Sequence, residues 1–144
     1  MTEPSAHPRI VVGYDGSSYA DAALTWAARH ALESGGDLEL VTVWQWPMTY
    51  GYPVDLGDYT PETDATRVAQ QAAEKSGLPA DRVSTVVLEG PAAAQLVDRA
   101  RNADVLIVGT RGHNDFSGLL LGSVSNYCAH HADCTVIVVR APRG

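Results

Sequence analysis

Several things are scarce in these 144 residues. Two cysteines, Cys128 and Cys134, are too few for a disulfide framework. No apolar run approaches the length of a membrane span. The first residues, "MTEPSAHPR", lack the basic and then apolar pattern of a signal peptide, so a reduced, cytoplasmic protein is expected. Basic charge is short as well: 10 Lys and Arg stand against 17 Asp and Glu, a net charge of -7. That balance argues against a broad nucleic-acid surface or an acidic-membrane surface. A small anion remains open, because backbone N–H groups can hold one without any basic patch. Internal repeats and low-complexity segments are missing too. What is present is ordinary globular composition, 45% hydrophobic and 19% charged. The length fits a single domain over 1–144, with a short tail over 1–8.

The apolar pattern predicts strand and helix in alternation. "RIVVG" reads as a buried strand, and "SSYADAALTWAARHALESGG" as a helix ended by Gly35 and Gly36. Ser18 and Asp21 suggest a capping box, with Ala23, Leu24, Ala27, Ala28 and Ala31 on one face. "DLELVTVWQW" reads as a second strand. A long irregular loop over 47–64 follows, of the kind that serves as a lid or partner contact. "ATRVAQQAAEKSGL" predicts a helix with Val68, Ala72 and Ala73 inward. Then come a strand ("RVSTVVLEG"), a helix opened by Pro91, a strand ("DVLIVGT"), a helix ("SVSNYCAHHA") and a last strand ("CTVIVVR"). Apolar runs without alternation belong to a parallel sheet covered on both faces, hence a doubly wound α/β sandwich. Ligands in such sheets bind beyond the carboxyl ends of the strands. That rule selects "GYDGSS", "WQWPM" and "GTRG".

Neither common phosphate loop is present. No G-x-x-x-x-G-K-[ST] string exists, and after the first strand there are only Gly13 and Gly16 where a dinucleotide fingerprint needs G-x-G-x-x-G. Instead Gly109, Gly112 and Gly122-Ser123 follow the fourth long strand with the spacing G-x2-G-x9-G-[ST]. Background glycine usage produces that spacing in about one chain per few hundred. Gly109, Thr110, Arg111 and Gly112 would form a turn with bared amides, and Gly122, Ser123, Val124 and Ser125 a helix start suited to phosphate. Ser123 and Ser125 would add hydroxyl donors, and Arg111 a neutralising charge. The same glycines could instead only shape a turn while Ser123 caps a helix. Asp15, just past the first strand, can accept from ribose hydroxyls or help hold a metal on phosphates; alternatively it forms an Asx turn.

Four stretches, "IVVGYDGS", "ADVLIVGTRGH", "GLLLGSVS" and "CTVIVVR", closely resemble the universal stress protein family over Arg9 to Arg140. The intact G-x2-G-x9-G-[ST] pattern is similar to that of the family's ATP-binding branch. The resemblance implies a five-stranded parallel sheet of order 3-2-1-4-5. It also implies a nucleotide site with Gly13 and Asp15 at the first strand, Val43 meeting adenine through its backbone, and the two glycine segments holding ribose and phosphates. ATP with Mg²⁺ is the implied ligand, with AMP or cyclic AMP as alternatives. A homodimer through the last strand, Val136, Ile137, Val138 and Val139, is implied too. Asn114 and Asp115 depart from the glycines that many relatives carry after the histidine.

"CAHHADC" invites a zinc reading, but a helix and a buried strand would keep its ligands from converging. Trp26, Trp44 and Trp46 read as core or pocket rim, and Trp44 or Trp46 could stack on a base. Three functions are expected to compete. The first is a nucleotide-dependent sensor in stress. The second is slow ATP hydrolysis or phosphate transfer onto Ser123 or Ser125, for which His113 is the only titratable group nearby and a positioned lysine is lacking. The third is a nucleotide-independent interaction module that uses the Tyr- and Pro-rich loop.

Overall fold

The computed structural model describes residues 7–112 and 121–141. Five strands form one sheet: β1 (Arg9–Gly13), β2 (Asp37–Trp44), β5 (Val83–Glu89), β6 (Val105–Gly109) and β7 (Thr135–Val139). Their order is β5-β2-β1-β6-β7 with every pair parallel, which is the 3-2-1-4-5 winding when the long strands are numbered along the chain. Ile10, Val11 and Val12 of the central strand are all 0% exposed. Full burial of each is worth about 1.5–3 kcal/mol, which explains why this strand shows no polar alternation.

Side chains leave the sheet alternately. Ile10, Val12, Leu38, Leu40 and Ile107 pack under α1 (Ser18–Ser34) and α2 (Pro61–Lys75). Val11, Val41, Leu106 and Val108 pack under α3 (Ala92–Arg99) and α4 (Ser123–His131) with Leu96 and Cys128. Helices therefore cover both faces, as the apolar strands predict. No helix among the described residues is long and apolar enough to cross a membrane.

The expected capping box at α1 is corrected. Ser17, not Ser18, is the N-cap, and its Oγ accepts the Ala20 N–H at 3.1 Å. The helix starts there because Asp15 first accepts the Ser17 N–H at 3.0 Å, turning the chain early. Asp21 is thereby freed from capping: its carboxylate accepts the Tyr14 hydroxyl at 2.5 Å and pairs with Lys75 at 3.1 Å.

The long irregular loop is corrected as well. Within it β3 (Met48–Thr49) and β4 (Tyr52–Pro53) pair as a small antiparallel hairpin, and the Trp46 indole N–H donates to the Val54 carbonyl at 2.9 Å. α2 begins at Pro61 rather than Ala65, because Thr60 caps it and Pro61 fits its first turn. Apolar periodicity cannot reveal that turn, which is polar; its Glu62 and Asp64 suit the positive end of the helix dipole. Ala65, Ala69 and Ala72 carry the buried face of α2, while Val68 and Ala73 are half-buried.

Candidate functional site

All the carboxyl ends of β1, β2 and β6 open on one side of the sheet, and two adjoining cavities lie there. The smaller, about 80 Å³, is lined by Gly13, Asp15, Val43, Gly109, Arg111, Gly112 and Val124 among others. The larger, about 870 Å³, shares Asp15, Val43, Gly112 and Val124 with it and adds Ser123. Eight of the residues singled out from sequence thus converge from three strand ends and one helix start. His113, Asn114 and Asp115 lie outside the described residues, as do Leu119 and Leu120.

Three of the singled-out residues do something else. The Gly122 N–H donates to the Thr110 carbonyl at 2.6 Å. The Ser125 hydroxyl is 2% exposed and lies 2.9 Å from the same carbonyl, to which it donates, and 3.1 Å from that of Gly122. Thr110 in turn donates its N–H to Val139 of β7 at 3.2 Å. Gly122, Ser125 and Thr110 therefore clamp the start of α4 to the turn after β6, and none of them lines either cavity. The expected hydroxyl donor at Ser125 is corrected: the helix folds over it. Ser123 stays exposed at the first position of α4. Gly122 at the N-cap brings no side-chain acceptor to the helix start, so the positive end is not covered from that side.

The glycines also have a reason that spacing does not show. A Cβ on Gly109 would stand 2.6 Å from the Tyr19 carbonyl oxygen, a backbone contact that cannot move aside. Gly109 is small because α1 packs on it. Asp15 forms the Asx turn foreseen as the alternative for it, accepting the Ser17 N–H, and it also lines both cavities.

Sequence reasoning missed much of the larger cavity. Trp44 and Trp46, expected at a pocket rim, do line its far wall, but Met48 of the hairpin and Tyr59, Asp64 and Val68 around the start of α2 were not singled out. The loop after β5 contributes Gly90, Pro91 and Ala92. The Tyr- and Pro-rich composition of 47–64 was the available signal. The charged groups in the lining among the described residues are Arg111 and Asp15 in the smaller cavity, with Asp15 and Asp64 in the larger. Desolvation first, and Asp64 next, hold the Tyr59 phenol above its usual range. Tyr14, between Gly13 and Asp15, is raised by burial and then by its hydrogen bond to Asp21.

The "CAHHADC" segment is spread out. Cys128 is 0% exposed in the core, its thiol pushed up to about 11 by desolvation, while His130 and His131 are exposed and His131 stacks on Tyr127.

Comparison with known proteins falls on the same ground. The family model described as "Universal stress protein family" matches residues 7–140. A universal stress protein of Mycobacterium tuberculosis is 33% identical over 150 residues, covering 96% of this chain and 50% of that protein. The chain spans about half the length of the curated relatives it matches. Among solved structures, a universal stress protein in complex with cAMP is similar at a TM-score of 0.74 and 26% identity, covering 96% of this chain and 100% of that one. A universal stress protein from Archaeoglobus fulgidus in complex with dAMP shares the fold at a TM-score of 0.67 and 20% identity, covering 92% and 97%.

Proposed function

The chain belongs to the universal stress protein family, and from that premise we propose that it binds an adenine nucleotide at the carboxyl end of the sheet and acts as a nucleotide-dependent sensor in the cytoplasm. One observation carries the reading: Asp15, the Arg111–Gly112 turn and the exposed start of α4 at Ser123 and Val124 converge on the two adjoining cavities. A phosphate beside Ser123 would meet the positive end of a helix and the Arg111 charge, while Asp15 stands where ribose hydroxyls can donate to it. The similarity to a protein solved with cAMP supports the ligand class.

ATP with Mg²⁺ is the first candidate, and AMP and cyclic AMP offer the same adenine, ribose and phosphate. Mg²⁺ characteristically takes one or two carboxylates plus phosphate oxygens and water. Asp15 supplies one such carboxylate, and among the described residues no group of three His, Cys, Asp or Glu could hold a cation alone. The donor set therefore fits a metal that arrives with its phosphates. A homodimer is part of the same reading, because Val136, Ile137, Val138 and Val139 are half-buried on β7, an edge of the sheet.

Calorimetric titration of the purified protein with ATP, AMP and cyclic AMP tests this. Affinity tighter than roughly 1 mM for at least one of them is expected. Heats no larger than dilution for all three would end the reading. Mass spectrometry of small molecules released on denaturation would identify what the protein carries.

A further inference from the structure

The smaller cavity, about 80 Å³, is well below the roughly 300–1,000 Å³ of small-molecule sites, whereas the larger, about 870 Å³, lies within that range. A nucleoside must therefore extend into the larger one. Its phosphate end is set by Arg111 and the start of α4, which leaves the base to the far wall. That wall holds aromatic side chains with different attachments. Trp44 is the last residue of β2, its carbonyl accepting the Gly90 N–H at 3.0 Å, and its half-buried side chain contributes to the same wall. Trp46 spends its indole N–H on Val54 and anchors the hairpin.

Tyr59 is different. Its side chain is half in solvent, 51% exposed, yet its backbone is fixed on both sides. Asp55 accepts the Gly57 N–H at 2.9 Å, Gly57 takes a φ of 65°, and the Tyr59 N–H donates to the Leu56 carbonyl at 3.2 Å. Immediately after it, Thr60 caps α2. The position before an N-cap is where a helix often staples an apolar side chain onto its fourth residue. Here that fourth residue is Asp64, which offers no apolar partner. A large ring is thus held at the cavity wall by a tight turn, with Asp64 meeting its hydroxyl rather than an apolar partner covering its face.

We propose that Tyr59 is a specificity-determining residue whose ring stacks on the base of the bound nucleotide, making the site favour purine over pyrimidine. The proposal rests on nucleotide binding at this site. Stacking is the interaction that a preorganised, half-exposed ring can give to any flat base, and it grows with overlap area, so the bicyclic base gains more. Asp64 beside the phenol gives the hydroxyl a neighbour on the helix.

Equilibrium titration of AMP, UMP and ribose 5-phosphate against the full chain and two variants tests it. The unmodified chain is expected to prefer AMP over UMP by about tenfold. Tyr59→Leu should weaken AMP by about tenfold, close the gap between AMP and UMP, and leave ribose 5-phosphate unchanged. Tyr59→Phe keeps the ring and should keep the gap. If AMP binds the unmodified chain and Tyr59→Leu preserves the ratio of AMP to UMP, stacking on Tyr59 is overturned while nucleotide binding stands. If the unmodified chain binds neither AMP nor UMP, both fall together.

Discussion

Where the strands begin, the sheet is sewn shut; where they finish, it is left open. At the first end the Arg9 guanidinium donates to the carbonyls of Arg99 and Arg101, both at 2.9 Å, and pairs with Glu39 at 3.2 Å. Arg99 reaches the same carboxylate, and the Arg9 N–H donates to Asp104 at 2.7 Å. Arg82 adds donors to the carbonyls of Ala31 and Gly36, at 2.7 and 2.5 Å. Loops and helix ends there are tied together by charged side chains. At the second end the ties among the described residues are mostly made by backbone groups and short turns, such as Gly90 with Trp44, Ser17 with Asp15, and Thr110 with Gly122 and Ser125. The contrast teaches a division of labour: one end stiffens the scaffold, so that the other can keep polar groups and a cavity facing outward.

The largest effect expected from breaking that division is at Gly109, where the open end touches the packed body. Gly109→Ala places a methyl 2.6 Å from the Tyr19 carbonyl, so α1 or the turn after β6 must shift. A loss of about 3 kcal/mol in urea denaturation is expected, together with loss of nucleotide affinity. A stable variant that still binds would mean that the two regions are not joined through this contact.

The next largest effect uses pH, and it probes the core that supports α4 beneath the open end. The Cys128 thiol is pushed up from 9.0 to about 11 by desolvation, with Cys134 a smaller cause. The folded state therefore holds a proton that the unfolded chain releases first. That contribution is fully present below pH 9 and is lost as pH rises towards 11. Two pKa units correspond to about 2–3 kcal/mol. The stability difference between the unmodified chain and Cys128→Ala, measured by urea midpoints from pH 8 upward, should shrink by that amount; a constant difference would show that the thiol is not shielded.

How much of this was legible depends on which residues carried the information. The covered parallel sheet could be read because Ile10–Val12 and Val105–Val108 are apolar without alternation, whereas its strand order was implied only by the family resemblance. The placement of Asp15 and Gly112 followed from the strand-end rule, and that of Ser123 from the glycine spacing. The start of α2 was hidden because "TPETD" is polar and carries a capping signal rather than a periodic one. The fate of Ser125 was hidden for another reason. A serine in a helix's first turn reads the same whether it faces a ligand or folds inward, and only its 2.9 Å contact with Thr110 decides. Gly109 was singled out from its spacing for a different reason, because the backbone of Tyr19 that demands a glycine there lies far away in sequence.

A third, smaller effect tests the sewn end directly. Glu39 is 9% exposed and serves both Arg9 and Arg99. Glu39→Gln keeps the shape and removes the charge, leaving two guanidinium groups close together without an anion. A loss of about 2 kcal/mol is expected, less than for a fully buried pair because the arginines are partly solvated. Nucleotide affinity should stay within twofold or so of the original, since the substitution lies at the far end of the strands. A fall in affinity comparable to the fall in stability would erase the division between the ends.

The smallest effect is expected at Thr42, and its sign carries the information. Thr42 is 4% exposed near the end of β2 and lines the larger cavity, yet among the described residues its Oγ1 has no hydrogen-bond partner. An orphaned hydroxyl in the core is a standing penalty, so the isosteric Thr42→Val should stabilise the free protein by about 1 kcal/mol. The sewn end carries one orphan of its own, the Arg82 Nε, but that atom keeps the Asp37 carboxylate 3.8 Å away, whereas Thr42 faces the cavity. Titration of AMP against the same variant then separates two meanings of the orphan. Unchanged affinity would make it a packing accident that the stiff far end can carry. Affinity falling about tenfold while stability rises would mean that the hydroxyl is kept for the ligand, and that the open end trades folding energy for recognition.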